Sequence, residues 1–549
     1  MPLFADDARD FEQLCETFVW DIPPQFNIAN AVCDRHTALA DRIALYCENA
    51  DGEEARYTFA DIRHLSCQLA HALRTLNVVP GDRVAIALSQ RVETALSHIA
   101  THRLGAVSLP LSVLFGPEAL THRLADSGAK VLVTTADLAH TCAQFRDQLT
   151  DLAHILVCDQ PADAAADFWA LLRQHPGNFK NVDTRADDPA LLIYTSGTTG
   201  PPKGALIAHR GLLGNLTGFE LSQNFFPRTD DVFWTPADWA WTGGLLDGLL
   251  PSWYYGTPIV AFEGKKFDPH KALSLMEKYR VTTGFFPPTA LKMLRSVPDI
   301  AQTYQLHLRA MMSAGEAVGE ELIQWGQTAL GIDINEMCGQ TEHNYMIGNC
   351  NAIMPLKPGS MGKAYPGHRV EVMDANGQLL PTGEVGEFVA HRDDPVHFLG
   401  YWKNPEATAR KYTGVWFHTG DVGYRDDAGY LWFLGRADDV INSAGYRIGP
   451  GEIEDCLLRH PAVLQAAAVG VPDPEGIRGD IVKAFIVLKP EHTPTDTLAD
   501  DIRALVRNNL ASYEYPRAIA FVDSLPMTTT GKVRRAALRE AAIADASAL

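Results

Sequence analysis

The chain holds 549 residues, 46% of them apolar and 21% charged, and carries a formal net charge of −20. It is longer than one ordinary domain, and its apolar share is that of a globular protein with a substantial core. The acidic balance argues against a nucleic-acid or anionic-membrane surface, since both need clustered lysine and arginine, but it allows positive charge to be gathered locally around an anionic small molecule.

The acidic N-terminus, through Asp6 and Asp7, lacks the basic and apolar regions of a secretory signal. No apolar run approaches the ~18 residues of a membrane span. Nine scattered cysteines without a C-x-x-C pattern read as reduced thiols, so the expected location is cytoplasmic. Through the first half, short apolar runs alternate with longer amphipathic ones. Residues 83–88 read as a strand after the turn at Pro80-Gly81-Asp82, 117–127 as a helix, 131–134 as the next strand and 190–193 as a buried one. Residues 282–286 and 310–313 continue the rhythm, which predicts parallel sheets covered by helices. From about Pro355 short strands follow one another, as at 369–373 and 386–390, and predict a small β-rich subdomain. Beyond 435–439 a compact α+β tail is expected, with helices near 452–459 and 498–509 and a strand at 482–488. The fold class is therefore α/β: a large N-terminal domain of helix-covered sheets with its β-rich subdomain over 1–436, then a small α+β domain over 437–549.

The most telling segment follows the buried strand at 190–193. It runs Tyr194-Thr195-Ser196-Gly197-Thr198-Thr199-Gly200-Pro201-Pro202-Lys203-Gly204. Such a loop offers backbone N–H groups, hydroxyls and one cation to a polyphosphate, and its glycines let the backbone close on the ligand. It is not a Walker loop: Lys203 is displaced, no hydroxyl follows it, and two prolines block a helix start. Further segments follow in order: Trp234 to Trp241, Ser313 to Ala317, Gly339-Gln340-Thr341-Glu342, Trp416 to Asp421 with Tyr430 to Arg436, and Pro526 to Lys532.

In this order, over nearly the whole chain, the segments resemble the adenylate-forming superfamily of acyl-CoA synthetases, peptide-synthetase adenylation domains and luciferases. The stretch 435–453 is similar to the acyl-CoA synthetase version. The resemblance implies an ATP-dependent ligase that converts a small-molecule carboxylic acid and CoA to acyl-CoA, AMP and pyrophosphate through an acyl-adenylate. It places Thr195, Ser196, Gly197, Thr199, Gly200 and Lys203 on the nucleotide phosphates, and Gly315, Glu316 and Ala317 at adenine. It sets Gln340 and Thr341 at the adenylate phosphate, and Asp421 and Arg436 at the ribose. Glu342 and Thr198 are the implied Mg²⁺ anchors, and Lys532 the catalytic lysine that bridges carboxylate and phosphate. Asp438 is the implied hinge of a mobile C-terminal domain, and Gly445, Tyr446, Arg447 and Arg478 the implied CoA contacts, the two arginines reading equally as surface residues. Acetylation of Lys532 by a lysine acetyltransferase would remove its charge and stop the first half-reaction.

Three positions depart from the family pattern. Cys338 stands where relatives carry a ring on adenine, Glu514 where many carry lysine, and Met527 where lysine is commoner. Gly339 occupies the place of a tryptophan that fills the pocket in acetate-specific relatives. With Trp239 and Trp241 as walls, or else as core residues, it implies an acid larger than acetate: short- or medium-chain, branched or aromatic. Two other readings stay open: a stand-alone adenylation enzyme loading a carrier protein, for which Asp238 could hold an amino acid's ammonium, and a degenerate nucleotide-binding scaffold.

Overall fold

The computed structural model describes residues 2–5, 8–160, 165–195, 202–264, 266–437, 439–443, 446–474, 480–510, 514–528 and 532–547, the side chains of 442, 446, 447, 452 and 545–547 excepted. Contacts divide the chain into two compact units. The first is Met1–Lys357, Gly362–Arg369 and His391–Val415; the second is Pro358–Met361, Val370–Ala390 and Trp416–Leu549.

One sheet of the first unit has the strand order Gly400–Tyr401, Lys203–Ala208, Pro189–Thr195, Val107–Pro110, Arg83–Ala87, Val131–Thr134, His154–Val157, Ala166–Asp167. The strands from Pro189–Thr195 to Ala166–Asp167 run parallel. The central ones are buried nearly throughout, because helices cover both faces of such a sheet, and so they read as unbroken apolar runs. The helix Pro117–Ser127 keeps the sequence-predicted bounds. Proline opens its first turn, where an N–H has no partner to lose, and Gly128 ends it at a φ of 63°. The helix Phe59–Thr75 starts at a capping box in which Thr58 and Asp61 bond reciprocally.

The parallel rule breaks on either side of residues 196–202. Pro189–Thr195 and Lys203–Ala208, the strands flanking residues 196–202, pair antiparallel with Thr195 opposite Lys203. Both ends of the loop are therefore pinned in one sheet. The second sheet of this unit repeats the pattern. Ile43–Asn49, Ile259–Glu263, Phe233–Trp234, Thr283–Phe285, Ala310–Ala314 and Ile334–Gln340 are parallel, and His343–Gly348 returns antiparallel from the last of them. Its core gathers Trp234, Met276, Phe286, Leu291 and Met311, with the Trp234 and Phe286 rings edge-on at 5.4 Å.

In the second unit, Val370–Met373, Gly386–His391, Trp416–Arg425 and Leu431–Arg436 are sheet neighbours, the predicted β-rich subdomain. The tail is a three-stranded sheet of Val463–Pro472, Asp480–Leu488 and Ala518–Phe521, packed through Ile453, Leu457, Ile502 and Val506 on the helices Pro450–Leu458 and Asp496–Asn509. The protein is thus α/β, with a large N-terminal assembly of sheets and helices and a small C-terminal one. Among the described residues, no helix is long and apolar enough to cross a membrane.

One buried cation fastens the start of the first unit. The Arg103 side chain is 0% exposed. It donates to both Asp34 oxygens at 2.7 and 2.8 Å, to Asn181 Oδ1 at 2.9 Å and to Ser66 Oγ at 3.1 Å. Arg103→Met should cost about 3 kcal/mol, because it removes the buried bidentate partner of Asp34 and leaves only the half-exposed Arg63 at 3.6 Å and the Asn181 amide at 2.7 Å. The check is a lower melting temperature and denaturation midpoint, with the Asp34→Asn/Arg103→Met double variant recovering part of the loss.

Candidate active site

The loop-flanking strands carry the first two functional side chains. Thr195 donates its hydroxyl to the Lys203 carbonyl at 3.4 Å. The Lys203 ammonium lies 5.4 Å from the centre of the Tyr401 ring, within cation–π range. Tyr401 is placed there because its strand is the next in the sheet, with Tyr401 opposite Ala205. Its hydroxyl donates to Glu342 Oε1 at 2.6 Å, a short charge-assisted bond. Glu342, in turn, sits with Thr341 at the tip of a two-residue hairpin closed by the pair Gln340 and His343. The Glu342 carbonyl accepts from the Phe398 amide at 3.0 Å. Lys203, Tyr401 and Glu342, distant in sequence, form one cluster at the end of the loop. Ser196, Gly197, Thr198, Thr199 and Gly200 lie outside the described residues.

The hairpin also explains Gly339. The register shifts between Cys338 and Gln340, and a side chain at 339 would start 2.7 Å from the Tyr345 amide nitrogen and 3.0 Å from Asn344 Oδ1. The nearest of these atoms is backbone, so a side chain at 339 would need the Tyr345 segment to shift. Cys338 is half-buried, with Ile347 as its cross-strand partner. Gly315 follows the strand Ala310–Ala314 at a φ of 99°, a turn that favours glycine, and leaves Gly315 and Ala317 exposed with Glu316 half-buried.

Of the two tryptophans, Trp239 is fully enclosed, at 0% exposure. Trp241 keeps accessible surface and meets Phe115 edge-on at 5.7 Å. Asp238 is engaged on both oxygens: Ser112 Oγ donates at 2.9 Å and the Ala240 amide at 3.0 Å. Burial pushes its carboxyl upward, against those two bonds. This is the use of a local turn residue.

In the second unit, Asp421 and Arg436 are directly opposite on paired strands, and Arg436 Nη1 donates to Asp421 Oδ1 at 2.7 Å. Gly420, at a φ of 80°, makes room for the guanidinium; a side chain there would start 2.6 Å from Arg436 Nη2. Glu387 holds this turn, accepting from the Gly420 amide at 2.8 Å and bonding His418 Nδ1 at 2.8 Å. Further along, Lys532 is exposed. Its amide donates to Thr528 Oγ1 at 3.0 Å, and its carbonyl accepts from the Thr528 amide at 2.7 Å. Arg535 anchors the following helix by donating to both Glu454 oxygens at 3.0 and 2.6 Å. Asp438, Gly445, Arg478 and the side chains of Tyr446 and Arg447 lie outside the described residues. Glu514 is buried, at 9% exposure.

The sequence reading passed over Tyr401, Glu387 and Asp247. Tyr401 and Glu387 have no local signature, since each is defined by a strand neighbour. Asp247 had one: it is a lone acid in the apolar run 245–250. It is buried and takes a hydrogen bond from Asn344 Nδ2, two residues past Glu342. Burial pushes its carboxyl up to about 8, against that bond.

Two measurements follow. Tyr401→Phe removes one buried bond to a charged group, worth about 1.5–3 kcal/mol; the melting temperature should fall by a few degrees, and kcat/KM measured well below it should fall roughly tenfold or more. For Asp247, the native state keeps a proton that the unfolded chain, with an ordinary pKa of about 3.9, gives up. Stability therefore falls as pH rises from about 4 toward 8. Asp247→Asn retains the Asn344 bond and cannot ionise, so its melting temperature should gain on that of the wild type across this window.

Known proteins place this geometry. The model of the AMP-binding enzyme family matches residues 33–402, and that of the AMP-binding enzyme C-terminal domain matches 452–532. The mouse mitochondrial acyl-coenzyme A synthetase ACSM3 is 33% identical over 547 residues, covering 97% of this chain and 93% of that protein. The acetyl-coenzyme A synthetase of Bacillus subtilis (strain 168) is 34% identical over 529 residues, covering 94% and 90%. Among solved structures, the anthranilate CoA ligase AuaEII in complex with anthranoyl-AMP superposes with a TM-score of 0.88 at 30% identity, covering 96% of this chain and 99% of that one. The chain belongs to the AMP-binding enzyme family, on its acyl-CoA synthetase branch, and is a ligase.

Proposed function

We propose that the enzyme joins a carboxylic acid larger than acetate to CoA in two half-reactions. A carboxylate oxygen of the acid attacks the α-phosphorus of ATP and pyrophosphate leaves, giving the acyl-adenylate. The CoA sulfur then attacks the acyl carbon and AMP leaves. The observation that carries this reading is the cluster of Lys203, Tyr401 and Glu342 at the end of the 196–202 loop. Two anions must meet in the first step, and oriented positive charge and donors lower that barrier. Lys203 stands at the loop as a fixed cation, and Lys532 is the mobile one that bridges carboxylate and phosphate.

The residues present fit Mg²⁺. Glu342 is an oxygen ligand at a hairpin tip, oriented by Tyr401, and it would hold the ion together with Thr198. When bound, the ion neutralises phosphate charge. Asp421 accepts from the ribose hydroxyls, with Arg436 fixing its carboxylate. Asp438 is the proposed hinge between domains 1–436 and 437–549, and Gly445, Tyr446, Arg447 and Arg478 are the proposed CoA contacts. A swing about it would present Lys532 first and the CoA tunnel second.

For the acid, Gly339 is the main guide. It cannot take a side chain without moving the Tyr345 backbone, so no residue at 339 fills the space a larger acid needs. The accessible edge of Trp241 supplies an apolar wall. The full engagement of Asp238 speaks against ammonium recognition, and hence against amino-acid loading of a carrier.

The deciding assay measures AMP release with ATP and Mg²⁺ across straight-chain, branched and aromatic acids, with and without CoA. CoA-dependent turnover highest above acetate is expected. Pyrophosphate release without CoA-dependent turnover would point to carrier loading, and silence with every acid would sink the ligase reading. Lys532→Ala should retain ATP binding and fold but lose at least a hundredfold in adenylate formation.

A further inference from the structure

Three side chains of metal-ligand type converge in the first unit at a place the reaction does not use. His343 opens the strand His343–Gly348, His368 lies beyond the strand Ser360–Ala364, and Asp394 lies beyond Gly386–His391. Their side chains are 0%, 0% and 1% exposed. One ligand atom from each lies within 4.8 Å of the others. His343 Nε2 is 3.3 Å from Asp394 Oδ2, and His368 Nδ1 is 2.7 Å from the same oxygen.

A second layer holds each of these groups by its remaining polar atom. His368 Nε2 meets Thr217 Oγ1 at 3.1 Å. His343 Nδ1 meets His397 Nδ1 at 3.0 Å, and His397 Nε2 is bonded to the Tyr412 hydroxyl. Asp394 Oδ1 accepts from the Val396 amide at 3.0 Å. With an ion bound, one set of tautomers serves all of these contacts. His368 donates from Nε2 to Thr217, His343 donates from Nδ1 to His397, and His397 donates from Nε2 to Tyr412. His368 Nδ1 is hydrogen-bonded to Asp394 Oδ2 at 2.7 Å, and an ion would take the place of that proton, with His343 Nε2 and the Asp394 carboxylate beside it. Imidazoles held in this way by outer partners are characteristic of metal ligands.

We propose that His343, His368 and Asp394 bind a divalent cation of the zinc class, which fastens the 394–401 segment to the hairpin carrying Glu342. Two imidazoles and one carboxylate suit zinc, whereas magnesium prefers an all-oxygen set. Tetrahedral bonds of about 2.0–2.1 Å put ligand atoms about 3.3 Å apart. The His343–Asp394 separation is already 3.3 Å, and His368 needs to draw back from 2.7 Å. A water fills the fourth position. A buried carboxylate demands compensating charge, and a cation would supply it. The placement also has a use. His343 directly follows Glu342, Phe398 donates its amide to the Glu342 carbonyl, and Tyr401 lies three residues further on. The ion would lock both partners of the Glu342–Tyr401 bond from behind.

The test uses the full-length protein, stripped with EDTA, free of ATP, and titrated separately with Zn²⁺ and Co²⁺. Wild type should take up one equivalent of zinc that His368→Gln and Asp394→Asn bind at least a hundredfold more weakly. With cobalt, wild type should show the visible absorption of a tetrahedral ion, and both variants should lack it. Thr217→Val, which removes only the outer bond to His368, should keep the stoichiometry and weaken zinc about tenfold. Zinc uptake no greater in wild type than in His368→Gln overturns the site. So does a cobalt spectrum of a six-coordinate, hydrated ion only, a readout that needs no variant to fold.

Discussion

The hydrogen bond from Tyr401 to Glu342 ties together the two sheets of the first unit at the candidate site. Tyr401 belongs to the edge of one sheet, and Glu342 to a hairpin of the other. Each is held by its own strand register, so neither can shift without distorting a sheet. Lys203 joins them because its strand is Tyr401's neighbour. A short bond to a carboxylate is strong only when both partners are already in place, and here the two sheets meet that condition before any ligand arrives.

Around that bond the molecule departs twice from simple parallel winding, and both departures serve the site. The antiparallel pairing of Lys203 with Thr195 holds both ends of the 196–202 segment in one sheet. The antiparallel return after Gln340 makes the tight tip on which Glu342 sits. Gly339 suits that tip: a side chain there would start 2.7 Å from the Tyr345 amide nitrogen. A constraint of local packing thus becomes a constraint on what can fill the space beside the hairpin.

The second unit uses the same device on a smaller scale. Asp421 and Arg436 face each other because their strands pair in that register, and Gly420 is required for the guanidinium to lie alongside. Glu387, from the next strand, ties down the turn. An overall acidic protein thereby orients a cation and a carboxylate at one spot without altering its net charge.

Much of this was determined by the sequence alone. The alternation of apolar and amphipathic runs specified the α/β class, the helix at 117–127 had its proline and glycine bounds written in place, and the order of the loop, Gly-Gln-Thr-Glu and lysine segments announced the family. Those features are local, because a strand's burial, a helix cap or a motif is carried by adjacent residues. Tertiary structure decided the rest. It added antiparallel strands to the expected parallel sheets, enclosed Trp239 while leaving Trp241 an accessible edge, and engaged Asp238 in a local turn. It also brought Tyr401 to Glu342, and His343, His368 and Asp394 to one another, across long stretches of chain. Such pairings depend on strand order and register, which no single segment encodes, and so they appear only when the sheets are assembled.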